Sequence, residues 1–244
     1  MKKLFATFLI SLSLLTPIYY ANAVGTIAFD AATSGGLTNP GTSQIWSHTC
    51  SGTNRILFVE AFNAGGGDIL TGVTYAGVAM TLVNKVTIDS QSTQLFYLVA
   101  PATGTNNVVV SYSASTIILS NASSYTGANQ SGQPDASTTH SGQVAANNNF
   151  TTTLTTIADN SWTILASREN SSASEVASTG STQRVLNNGG TGIYDSNGAI
   201  TPAGSYSMSV KVGQTADWMN VMASFAPYTP PSAVIPSLRW FSWF

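Results

Sequence analysis

Val73-Thr74-Tyr75 and Val78-Ala79-Met80 stand on either side of Ala76-Gly77, two apolar-polar-apolar triplets around a two-residue turn. A hairpin this tight needs positive φ in the turn, which glycine adopts without steric cost. Beside it, residues 56–62 and 95–99 are runs of aromatic and branched side chains that suit a pleated surface packed on a core. Residues 55–101 therefore read as four strands. Further strands are expected at 24–30, near 44–48, and at 85–88, 107–112, 117–125, 150–155, 161–168, 205–212 and 217–225, with a short one at 182–186. Between them, 33–42, 63–68 and 169–180 read as loops. Residues 128–149 read as a surface excursion with at most one edge strand, and 187–198, with four glycines, as the most turn-dense part of the chain. No stretch after the first 23 residues sustains helical periodicity. The expectation is an all-β fold, a single β-sandwich of about a dozen strands, jelly-roll or concanavalin-like.

The first 23 residues have the layout of an export leader. Lys2 and Lys3 precede an apolar core at 4–15, and Ala21-Asn22-Ala23 is a small-x-small cleavage site, so the mature chain is expected to start at Val24. The apolar core is shorter than the roughly 20 residues that span a bilayer. Residues 24–227 then form the domain. Residues 228–244 form a Pro-rich spacer and a tail holding two Trp and two Phe around Arg239. That tail has three readings: docking on the domain, contact with a membrane interface or partner (self-association included), or a readthrough scar. Localisation is expected to be secreted or cell-surface.

Only 7% of residues are charged, against about 25% in an average soluble domain, so Ser, Thr, Asn, Gln and Gly must carry solubility. Losing Lys2 and Lys3 with the leader takes the net charge from −2 to −4. The mature chain has no basic run, so nucleic acid is not an expected partner. Cys50 is the one cysteine, which excludes an intramolecular disulfide and leaves a buried thiol or an intermolecular bridge.

A resemblance can be set beside this reading. The run V-T-Y-A-G-V-A-M-T from Val73 is similar to a pattern in secreted bacterial and phage-associated β proteins. So are L-F-Y-L-V-A-P-A-T-G-T from Leu95, S-Y-T-G from Ser124, D-N-S-W from Asp159, A-G-S-Y-S-M from Ala203 and the closing Ser224-Phe225-Ala226-Pro227. The resemblance covers about residues 55–227. It implies a jelly-roll-like sandwich on a surface protein and carries no catalytic residues with it.

Chemistry is sparse. No G-x-S-x-G elbow occurs, and His48 and His140 are the only candidate imidazole bases. His48 and Cys50 share a strand face, which suits packing better than a catalytic dyad without a third group. Glu60 lies mid-strand with Ile56, Phe58 and Phe62 on its face. It is expected to pair with a cation such as Arg168 or Arg55, since an unpaired buried carboxylate is costly. Asp195-Ser196-Asn197-Gly198 begins like a calcium loop but lacks the later ligands, and a hairpin turn explains it better. No cofactor is expected, and zinc lacks its His/Cys clusters. A ligand site is expected on edge loops, from Trp46, Asp68, Tyr194, Asp195, Asn197 and Trp218, because sugar sites combine aromatic rings with amide and carboxylate groups. Three functions follow. The first is a secreted non-enzymatic surface module in adhesion or glycan binding. The second is a structural subunit or decoration domain of an extracellular assembly. The third is a polysaccharide hydrolase using Glu60.

Overall fold

A computed structural model describes residues 24–170, 175–187 and 190–230; the leader and the tail from Pro231 onward lie outside the described residues. The hairpin at Ala76-Gly77 is present, between β3 (Leu70–Tyr75) and β4 (Val78–Ala79), with Tyr75 opposite Val78. Both turn residues have positive φ, 50° at Ala76 and 78° at Gly77. That is the primed turn whose twist matches the flanking strands.

Thirteen further strands complete the described fold. They are β1 (Ala28–Cys50), β2 (Ile56–Asn63), β5 (Thr81–Ile88), β6 (Gln91–Val99), β7 (Gly104–Thr126), β8 (Ala136–Val144), β9 (Asn149–Thr155), β10 (Trp162–Glu169), β11 (Val176–Ala177), β12 (Thr182–Asn187), β13 (Thr191–Asp195), β14 (Ser205–Lys211) and β15 (Ala216–Phe225). They form three sheets. The first runs β4-β3-β7-β2-β6-β5 with β1 also on β7, the second β12-β13-β10-β15-β8, and the third β11-β14-β9.

Two strands of 23 residues frame the first sheet. β1 and β7 pair along their whole length, with register shifts near Gly36 and Gly41 that let the ribbon bend. β2 pairs with the later half of β7 and β3 with its earlier half. The sheet thereby curls on itself, and Leu57, Val59, Val73, Tyr75, Val108, Val110 and Ile118 fill the space inside the curl. The loop expected at 33–42 and the break expected between 112 and 117 are both strand, because the long ladder satisfies backbone groups that polar, glycine-rich sequence would otherwise leave to water.

The single two-layer sandwich, whether jelly-roll or concanavalin-like, is not what forms. Every residue of β2 and of β10 is buried. Along β2, Leu57 and Val59 face the inside of the curl, while Ile56 and Phe58 face the second sheet with Ile164, Ala166, Val221, Ala223 and Phe225. Along β10 and β15, Leu165, Trp218 and Met222 turn the other way, onto Phe150, Leu154, Met208 and Val210 of the third sheet. Strands buried on both faces belong to inner layers, which a two-layer sandwich lacks. Burying each large apolar side chain contributes about 1.5–3 kcal/mol, so these shared inner strands carry two interfaces at once.

The stretch 187–198 also differs from expectation. It holds β13, buried throughout. A Cβ on Gly192 would meet the Tyr194 ring at 2.9 Å and Glu175 Oε2 at 3.2 Å. This glycine marks a close packing contact inside a strand and not a turn.

Candidate functional site

The six side chains expected to bind a ligand do not form one surface. Tyr194 is fully buried on β13 and Trp218 nearly so on β15, and both belong to the core between the second and third sheets. Trp218 stacks on Phe150, ring centroids 4.9 Å apart and 13° from parallel. A sugar-binding face through these rings is therefore corrected: alternation along β13 and β15 turns both inward. Trp46 is half-buried on β1 and donates Nε1–H to Thr33 Oγ1 at 3.1 Å. Asp68 follows β2, where its carboxylate accepts from Lys85 Nζ and, at 2.9 Å, from Gln94 Nε2. Asp195 and Asn197 do come together, through Arg184. Its Nε donates to Asp195 Oδ2 at 2.5 Å and its second guanidinium nitrogen to Asn197 Oδ1 at 2.7 Å.

Asp195 is buried and also accepts from Tyr125 Oη at 2.9 Å and from the Asn197 amide at 2.9 Å. Burial pushes its carboxyl up from the usual range against the pull of Arg184. With its oxygens committed this way, the Asp-Ser-Asn-Gly stretch closes a turn and an ion pair. Arg184 also lies over the Phe29 ring, 4.2 Å from its centroid.

The chemistry missed by the sequence reading gathers around Arg168, between the first and second sheets. All three glutamates of the chain, Glu60, Glu169 and Glu175, are buried and act on this one guanidinium, Glu175 from the face of the second sheet that carries Tyr194. The expected pairing of Glu60 with Arg168 is an electrostatic attraction; the hydrogen bond comes from Asn121 Nδ2, at 2.8 Å. Burial dominates and raises the Glu60 carboxyl well above its ordinary value, with Glu175 adding to the effect. Glu175 is held by Tyr194 Oη at 2.7 Å and Ser167 Oγ at 3.0 Å, and burial pushes it up to about 8. Burial pushes the Arg168 guanidinium down. That group rests over the Phe62 ring at 4.5 Å, with its Nε unpartnered. Beside Arg168 lies a cavity of about 40 Å³, bordered by Asn170, Asp217 and Met219, with room for a few waters. Glu60 itself is inaccessible to solvent and does not face a cleft that could hold a polysaccharide. One signal for this cluster was present in the sequence: three glutamates in a chain with few charges, one of them mid-strand. Glu175 gave no such signal, because it stands between Ser174 and Val176 in a stretch that reads as a polar loop.

A second polar cluster lies inside the curled sheet. Trp46 Nε1–H donates to Thr33 Oγ1, whose hydroxyl donates to His48 Nδ1 at 2.8 Å. His48 Nε2–H donates to Ser124 Oγ at 3.0 Å, and Ser124 donates to Asp30 Oδ2 at 2.8 Å. Indole can only donate and carboxylate only accept, so the chain has one direction and fixes the Nε2–H tautomer of neutral His48. Burial pushes the imidazole down to about 4, against the attraction of Asp30. Cys50 shares the His48 face and is fully buried; desolvation raises its thiol, which keeps it protonated. The arrangement is the packed pair and not a nucleophilic dyad.

A cleft of about 340 Å³ opens at one pole, floored by Trp162 and Ile27 and edged by Asn160, Gly198 and the segment Val24–Thr26 that precedes β1. Among the described residues no group of three His, Cys, Asp or Glu side chains is placed to hold a metal, and no helix is long and apolar enough to cross a membrane. Compared with protein-family models and with curated proteins, the sequence matches none.

Proposed function

We propose that the chain is an exported structural module of an extracellular assembly, non-enzymatic and attached through the segment that follows Tyr228. One observation carries the reading. The beginning of the first described segment and the end of the last are zipped together at one pole: Gly25 N–H donates to Tyr228 O at 2.7 Å, and Tyr228 N–H donates to Gly127 O at 2.7 Å. Fastened in this way, the layered sheets form one body, and the described chain leaves it at the pole where it entered. The leader, the sparse charge and the Ser/Thr-rich strand faces are consistent with export to a medium where a rigid β body persists. Light scattering on the mature chain and on a version ended at Pro230 tests this. Association of the full chain and a monomeric truncation are expected. Two identical monomers at high concentration would remove the assembly role.

A second reading rests on the polar cleft. Trp162 and Ile27 offer an apolar floor, and Asn160 with the backbone of Gly25 and Gly198 offers hydrogen-bonding groups. This suits a ligand with one flat apolar face. Quenching of Trp162 fluorescence by a panel of soluble ligands, abolished in Asn160→Ala, supports it; no response from any ligand removes it.

A further inference from the structure

Three fully buried side chains from three strands meet between the first and second sheets: Glu60 of β2, Asn121 of β7 and Thr191 of β13. Asn121 Nδ2 lies 2.8 Å from Glu60 Oε2, 3.4 Å from Thr191 Oγ1 and 3.3 Å from the Thr191 carbonyl. Two amide hydrogens face three acceptors, while Asn121 Oδ1 and Glu60 Oε1 have no hydrogen-bond partner. Orphaned buried oxygens are costly and call for an explanation. A hydroxyl, a carboxamide and a carboxyl held together without competing water are the components of an acyl transfer.

We propose that Thr191 and Asn121 condense to an intramolecular ester, with Glu60 shuttling the protons, so that β7 of the first sheet becomes covalently joined to β13 of the second. Thr191 Oγ attacks Asn121 Cγ. The C–O bond forms as the Cγ–Nδ2 bond breaks, and Nδ2 leaves as ammonia. Glu60 enters as a carboxylic acid, gives its proton to Nδ2 through Oε2 and receives the Thr191 hydroxyl proton on the orphaned Oε1. It ends as it began, so the balance is one hydroxyl and one carboxamide giving one ester and one ammonia, with no oxidant or further reactant. The neutral form of Glu60 is what its burial imposes. Arg168, the cation of the cluster, lies near enough to attract Glu60.

The test is peptide mass spectrometry on the full chain expressed with its own leader. Cleavage after Lys85, Arg168, Arg184 and Lys211 places Asn121 in peptide 86–168 and Thr191 in peptide 185–211. The expected result is one species containing both peptides, lighter than their sum by one ammonia, which mild alkali separates. Thr191→Ser keeps the link; Thr191→Val and Glu60→Gln release two peptides of full mass. Thr191→Val is close in volume to threonine, and circular dichroism confirms that it folds. Two separate peptides of full mass from the folded wild-type chain would overturn the proposal. So would an ammonia deficit that persists on peptide 86–168 in Thr191→Val, which would mark cyclisation of an asparagine and not an ester.

Discussion

The two buried polar clusters handle charge in opposite ways. Around Arg168, the Glu60 and Glu175 carboxyls are enclosed by the layers, and burial favours their protonated form. Inside the curled sheet, an imidazole is enclosed and held neutral, its hydrogen bonds leading outward to Asp30 near the surface. Burial is the larger influence in both, yet it acts with opposite sign on an acid and a base. The comparison shows that some of the few ionic groups of this chain serve as interior ties whose strength depends on pH.

The largest predicted effect comes from breaking the ion pair that flanks the first cluster. Asp195→Ala leaves Arg184, only 13% exposed, and Tyr125 Oη without their partner. Removing one side of a buried pair costs about 3–5 kcal/mol, read as a lower urea midpoint. A loss below about 1 kcal/mol would place Asp195 in water, like Asp68.

Next in size is Glu175→Gln. The folded carboxyl titrates at about 8 and an ordinary one at 4.5. The native state therefore keeps a proton that the unfolded chain releases across this window. The resulting stabilisation is complete below about pH 4.5 and is lost as pH rises through 8, a change of several kcal/mol. Gln cannot titrate, so the variant's urea midpoint should fall less between pH 5 and 9 than the wild type's. Equal slopes would remove Glu175 from the cluster.

His48→Gln works on the opposite flank. The folded imidazole titrates at about 4 against an ordinary 6.5, so its contribution is full above pH 6.5 and is lost as pH falls toward 4. Gln retains one acceptor and one donor, and the acid loss of about 3 kcal/mol should disappear. A steeper acid loss in the variant would contradict the neutral relay.

The smallest effect belongs to Lys85→Ala. Its pair with Asp68 has side chains 42% and 43% exposed. Exposed pairs contribute between zero and about 1 kcal/mol, less at high salt.

Much of this architecture was legible, and the rest failed for physical reasons. The Ala76-Gly77 hairpin and the all-β class follow from local turn chemistry and period-2 patterning, which act over a few residues. The layer count did not follow, although residues 56–62 and 161–168 carry its signature: continuous runs with few exposed positions, which mark a strand covered on both sides. Glu60 in the first run and Arg168 in the second disguised it, because each reads as an outward face until a partner across the layers is known. Gly192 looked like a turn because sequence cannot tell a glycine that bends from one that makes room for a ring. Of the six site residues, only the Asp195–Asn197 pair came together, since their two-residue spacing is local. Tyr194 and Trp218 looked available because burial on the second face of an inner strand is set by a sheet distant in sequence.

The measurement closest to the central claim is carboxyl-carbon NMR on glutamate-labelled protein, where the chain's three glutamates give three resonances to follow with pH. The account predicts that Glu175 titrates near 8 and that Glu60 stays protonated well above the ordinary carboxyl range. Titration of both near 4.5 would place them in water and contradict the enclosed layers.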